Sequence, residues 1–264
     1  MNDPLFLLAH EREMNEQLRA LKAKLVPTKE ALQHECKRFP RRAVWLAPRA
    51  TSASWFTSCS PWTGRDQRLL LLEKCRPHQD AFLHARFRFV VSEADVRLLP
   101  REELLAVLAA PNRAALFIGG CIDPGDGVVV LYTGNVEPVV MPLDWFKPSG
   151  DGVRPDPSRF SVTDFGQTVK LGAYEAASHA ILYDFDPEYR RQAKARRVEQ
   201  DPSFGGALRR LRILRGLSQA SFEPDISAKE IARLEGGQVK KPHATTLKRL
   251  AKRLRVKPSE ISTY

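Results

Sequence analysis

Long hydrophobic runs are missing from this 264-residue chain: no stretch of eighteen or more apolar residues occurs, so no membrane-spanning helix is expected. Met1 to Ala9 has neither the basic opening nor the small-residue cleavage site of a secretory signal, which leads to the expectation of a cytoplasmic protein. Cysteine is scarce. The four thiols, at 36, 59, 75 and 121, are irregularly spaced in a chain too large to need disulfide staples, so reduced side chains are expected. Catalytic signatures are missing too: there is no glycine loop to cradle phosphate, no H-E-x-x-H and no G-x-S-x-G. Cys75-x-x-His78 lacks a second pair at zinc spacing, and Gly119-Gly-Cys121, with His179 far away in sequence, reads as a buried cysteine. No catalytic residue, metal or cofactor is expected.

What is present is a charge imbalance with a location. The net charge is +11, yet residues 1 to 186 hold 23 basic and 23 acidic side chains. The excess lies in 187 to 200, with 5 basic against 2 acidic groups, and in 201 to 264, with 14 against 6. A basic segment on a neutral body suits phosphate binding, because each neutralised phosphate releases condensed counterions. A solvated basic tail has the same composition, so pattern must decide between them.

Along the chain, Met14, Leu18, Leu21 and Leu25 fall on one stripe of an expected helix within 3–25, ended by Pro27. Residues 40 to 80, rich in Pro, Arg, Ser and Trp, show neither helical nor strand periodicity, and 1–80 is left as an N-terminal helix and an unassigned segment. A strand is expected at Phe87 to Val91 and a helix from Pro100 to Ala109, with Glu102 and Glu103 in its first turn. Two β-rich runs, Leu116 to Ile122 and Val128 to Tyr132, flank Asp123-Pro-Gly-Asp-Gly127 and read as a hairpin whose aspartates form the turn. A strand Pro138 to Phe146, a loop to Pro157, a strand Phe160 to Leu171 and a helix Tyr174 to Tyr183 complete a domain at 85–185. Trp145 and Phe146 are expected in its core. This stretch resembles a class of small bacterial α+β domains of unassigned function that carry a P-L-x-W-F strand end, here Pro142 to Phe146. Residues 186–202, with Arg190, Arg191, Lys194, Arg196 and Arg197, form a basic linker.

From 203 to 264 the pattern is helical. Phe204, Leu208 and Leu211 line one face of a first helix that Gly216 stops. Ser218 opens a short second helix, Pro224 and Asp225 turn, Ser227 caps a third helix at Ala228 to Glu235, and Gly236-Gly237 ends it. Thr245, Leu247, Leu250, Ala251 and Leu254 mark a fourth, and Pro258 to Ile261 a final turn. The fold class expected for the whole is α+β: an N-terminal helix and a small mixed α+β domain, then an all-α domain of four to five helices.

The last sixty residues resemble the phage-repressor type of helix-turn-helix, the lambda repressor and Cro superfamily or XRE family. The pattern is F-x3-L-x2-L-R-x3-G-L-S-Q at Phe204 to Gln219, S-x3-I-x2-L-E-x-G at Ser227 to Gly237, and K-K-P at Lys240 to Pro242. The segment from Phe222 to Ser227 is about two residues shorter than is usual in the family, so the second helix should be truncated. The resemblance implies a double-stranded DNA partner read in the major groove by the third helix, with Ala228, Lys229 and Arg233 toward bases. It likewise implies phosphate contacts from Gln219, Lys240, Lys241 and His243, a structural salt bridge between Arg212 and Glu235, and a homodimer. A repressor whose α+β domain takes a small-molecule effector or a protein partner is the leading reading. Two rivals stay open: a DNA-binding antitoxin, and a nucleic-acid-processing enzyme that the helix-turn-helix targets.

Overall fold

A computed structural model describes residues 2–35, 40–58, 66–239 and 242–264. The chain mixes helices and sheets, as expected, and divides into two compact units, Met1–Pro187 and Glu188–Tyr264.

The first unit begins with a wholly parallel sheet that the sequence pattern did not reveal. Its elements are β1 (Leu5–Leu8), α1 (Glu16–Ala20), β2 (Lys24–Val26), α2 (Lys29–Glu35), β3 (Arg42–Ala47), α3 (Ala50–Ala53), β4 (Asp66–Leu71), α4 (Pro77–His84) and β5 (Phe89–Ser92). The strand order is β2-β1-β3-β4-β5, one of the two common doubly wound arrangements. Strands of such a sheet are covered on both faces and therefore read as short unbroken apolar runs, as LFLL in β1 does. One face carries Phe6, Leu8, Trp45, Leu69, Leu71 and Val90, packed against Leu32 of α2, Ala53 of α3, Trp55 and Phe56 of the 3-10 turn Ser54–Ser58, and Leu83 of α4. Trp45 stacks on Phe6 with centroids 4.5 Å apart and meets Phe56 edge-on at 5.3 Å. The step from β1 to β2 runs opposite to every later step, so right-handed crossovers place α1 on the other face.

The helix expected within 3–25 is therefore corrected: only Glu16–Ala20 is α-helical, after a 3-10 turn at Glu11–Glu13, and Leu25 sits in β2. Leu18 and Leu21 keep their shared buried stripe, but the four apolar residues of β1 gain more from burial between two neighbouring strands than a helix could offer them.

Two antiparallel sheets follow. After β6 (Arg97–Leu98) comes α5 (Arg101–Ala109), which lies against α1. Then β7 (Phe117–Asp123), β8 (Val128–Thr133) and β9 (Pro138–Pro142) join β6 in the order β6-β7-β8-β9. The hairpin between β7 and β8 is the one expected, and Asp123 forms its turn by accepting the amides of Gly125 and Asp126. Beyond it, β10 (Phe160–Thr163), β11 (Thr168–Leu171) and β12 (Tyr174–Ala177) make a meander, and α6 (Ser178–Phe185) closes the unit. The single strand expected over 160–171 is thus two, reversing at Asp164 and Phe165, which both have positive φ. The helix expected from Tyr174 starts at Ser178 because Tyr174–Ala177 pairs with β11. Phe146 is buried; Trp145 is half-buried, donates to Asp184 at 3.0 Å and meets Phe146 edge-on at 5.1 Å.

Two buried guanidinium groups tie the parallel sheet to the antiparallel one. Arg68 of β4, with only 1% of its side chain exposed, pairs with Asp3 at 2.8 Å, Asp66 at 2.7 Å and Glu137 at 3.0 Å, and donates to the Asn135 carbonyl. Arg113 donates to the Asn135 side chain and to the carbonyls of Leu108 and Asp3. Charges this deep are tolerated only because nearly every donor is matched.

Candidate nucleic-acid interface

The second unit opens with α7 (Pro187–Glu199), a basic helix with no buried residue, followed by α8 (Phe204–Leu214). The segment expected as a linker is therefore mostly helical. Ser203 caps α8 by accepting the Gly206 amide at 3.1 Å. Gly205 allows α8 to touch the end of the helix that follows: a Cβ there would stand 2.4 Å from the Leu234 carbonyl oxygen. Gly216, at φ 65°, turns the chain out of α8. Where a truncated second helix is expected, Gln219–Phe222 forms a four-residue 3-10 turn, since the short segment with Pro224 leaves no room for further turns.

Ser227 then caps α9 (Ala228–Glu235), accepting the Glu230 amide at 3.2 Å. The unit ends with α10 (Ala244–Leu254) and a 3-10 segment Pro258–Thr263. Leu208, Leu211, Phe222, Ile226, Ile231, Leu234, Leu250, Ala251, Leu254 and Ile261 form its core. The stripes read at Leu208 and Leu211, at Ile231 and Leu234, and at Leu250, Ala251 and Leu254 meet there, whereas Thr245 is exposed and Leu247 half-buried.

This packing decides what α9 presents. Ile231, Leu234 and Glu235 are buried, so Lys229 and Arg233, four residues apart, share the outward face. Arg233 rests on Glu230 at 2.9 Å in an exposed pair that water screens, a contact it can exchange cheaply. Ala228 is half-buried in the first turn. His243 is exposed and precedes α10 as its N-cap, while Lys240 and Lys241 lie outside the described residues.

Behind that face, Arg212 grips Glu235 with two hydrogen bonds, of 2.5 and 3.0 Å, and donates to the Leu217 carbonyl at 2.8 Å. The pair is largely shielded, with 12% and 4% of the side chains exposed. Gln219 is drawn into the same network, its amide donating to Glu235 at 2.9 Å. The amide of Gln219 thus orients the carboxylate that anchors α9. Sequence reasoning missed Arg249 and Arg253, one turn apart on α10, which donate to the carbonyls of Asp225 and Ser221 and so buttress the turn before α9. Their i, i+4 spacing was the available signal.

Elsewhere, burial foremost, helped by nearby carboxylates, pushes the thiols of Cys75 and Cys121 up, which keeps them protonated and poor nucleophiles. Among the described residues no group of three or more His, Cys, Asp or Glu converges to hold a metal ion, and no helix is long and apolar enough to cross a membrane. No family model matches the chain, and neither a curated protein nor a solved structure matches it.

Proposed function

We propose that the protein is a sequence-specific double-stranded DNA-binding regulator of the XRE type, a repressor that reads the major groove with α9. The observation that carries this reading is the clamped cationic helix: Lys229 and Arg233 face outward while Ile231, Leu234 and the Arg212–Glu235 pair hold the opposite face in place. Base readout needs this combination, because a helix that tilts by a few degrees loses register with base edges. Lys229 and Arg233 suit guanine O6 and N7, and Ala228 can offer its methyl group to thymine.

Phosphate contacts set orientation and salt dependence without reading sequence. On this reading they come from Lys240, Lys241 and His243, and from α7, where Lys194, Arg196 and Arg197 are exposed. The chain end of α7 is tied to α8, since Arg210 donates to the Glu199 and Asp201 carbonyls. A single unit of this size reads few base pairs, so two copies on half-sites about 34 Å apart supply the remaining affinity.

Selection of bound duplexes from a random pool with the full chain tests the proposal. A motif containing guanine in each half-site is expected, and Lys229→Ala or Arg233→Ala should relax preference at particular positions by about 1–3 kcal/mol. Retention of no motif at moderate salt would sink it. Co-purification of a small protein held by the first unit would instead select the antitoxin reading.

A further inference from the structure

The two ends of the parallel sheet differ in what occupies them. At the amino end, Asp3, Arg42, Asp66 and Arg68 are ion-paired with one another and with Glu137, so the polar groups there are spent on holding the antiparallel sheet. At the carboxyl end the chain leaving β1 crosses to one face and the chain leaving β3 to the other. Where neighbouring loops diverge in this way a crevice opens, and in open α/β sheets ligands bind there.

The side chains gathered at that point come from three strand ends. His10, two residues after β1, sets its ring edge-on against Trp55, with centroids 5.0 Å apart. Glu13 accepts the His10 amide at 3.1 Å and pairs with Arg49, which follows β3, at 3.4 Å, so an ion pair joins the two diverging loops. Glu73, after β4, accepts the Ala50 amide at 3.2 Å. The two partners of this pair are unequal: Glu13 has 16% of its side chain exposed and Arg49 has 58%. Among the described residues Glu13 is the one ion-pair partner of Arg49. A guanidinium paired on one side and open to water on the other can receive an anion.

We propose that this crevice binds a small phosphorylated polyol, a sugar phosphate or nucleoside monophosphate, with phosphate on Arg49 and hydroxyls donated to Glu13 and Glu73. Carboxylates accept from vicinal hydroxyls, and a single guanidinium matches a single phosphate. The loop Ala9-His10-Glu11-Arg12-Glu13 contains no glycine, so its backbone cannot approach a pyrophosphate closely, which disfavours a dinucleotide. That the ligand acts as an effector of DNA binding rests on the regulator reading; that it binds does not.

Calorimetric titration of the full chain with ribose 5-phosphate, AMP, adenosine and inorganic phosphate tests the site. AMP is expected to bind, and adenosine and phosphate to bind at least about tenfold more weakly, since each lacks half of the contacts. Binding of ribose 5-phosphate at strength equal to AMP assigns a sugar phosphate, and AMP alone a nucleotide. Arg49→Gln, at an exposed position, should weaken binding about tenfold or more, as should Glu13→Gln, whereas Arg42→Gln at the amino end should not. No binding by either phosphate ester at millimolar concentration, or binding unchanged in both crevice variants, overturns the proposal. Titration without DNA keeps this outcome separate from any failure of the regulator reading. Ligand binding with unaltered DNA affinity overturns the effector role alone.

Discussion

The two units place charge in their interiors in different ways. In the first, Arg68 and Arg113 sit between two sheets and draw partners from Asp3, Asp66, Leu108, Asn135 and Glu137, residues scattered over more than a hundred positions. In the second, one pair, Arg212 with Glu235, joins helices 23 residues apart and is flanked by Gln219 and Leu217. A buried ion pair is weak evidence for stability but strongly specifies geometry when one partner has no alternative. The first unit uses it to fix how two sheets meet, the second to fix how a single exposed helix is held.

The contrast is sharpest for Arg68. Arg68→Ala leaves Asp3, Asp66 and Glu137 with only the exposed Arg42 and Arg88 as partners at a mostly buried joint and should destabilise the first unit by about 3–5 kcal/mol, read as an early unfolding transition in denaturant. A loss under about 1 kcal/mol would mean that the joint is hydrated and the comparison fails. Glu235→Gln should cost about 2–3 kcal/mol, less because Arg212 keeps the Leu217 carbonyl and some exposure to water. That transition should appear in the second unit while the first melts unchanged, and under the proposed regulator function DNA binding should weaken for every sequence alike.

Gly205→Ala probes the same helix contact by shape rather than charge. The added methyl meets the Leu234 carbonyl, so a loss of about 1–3 kcal/mol is expected in thermal unfolding, with a displaced α9 visible as changed amide shifts. Acid offers a last discrimination. Burial alone would raise the Asp66 carboxyl, but its hydrogen bond to Arg68 and the charges of Arg68, Arg88 and Arg42 outweigh it and hold the group below the usual range. A carboxyl lowered by folding contributes stability above its unfolded value, and that contribution is lost as pH falls through the folded value. The first unit should therefore weaken progressively below about pH 4, the ordinary carboxyl range, and Asp66→Asn should flatten that dependence.

Legibility followed the range of the contacts. The helices of the second unit were readable because their signals are local: Ser227 as a cap, Gly216 as a stop, Ile231 and Leu234 on one stripe. The hairpin of β7 and β8 was readable from Asp123 and its glycines for the same reason. The parallel sheet was not. β1 and β2 are four and three residues long, and runs that short carry no period to separate strand from helix. Their partners are also separated by whole crossovers, as Leu5 is from Val44. The candidate crevice shared that fate, because His10, Arg49 and Glu73 approach one another only once β1, β3 and β4 are aligned. Gln219 shows a smaller case: that its side chain donates to Glu235, sixteen residues away, was set by packing and not by any local pattern.

By itself, the chain's order of residues determined where positive charge accumulates, which helices form near the carboxyl end and which of their faces are apolar. Those are properties of neighbours within a few turns, set by caps, breakers and spacing. Only the tertiary structure decided that four short runs in the first seventy residues become adjacent parallel strands, which of the sheet's two ends is plugged by Arg68, and which is left with an exposed Arg49. Strand pairing across crossovers depends on burial gained at both faces at once, and no window of the sequence contains that sum.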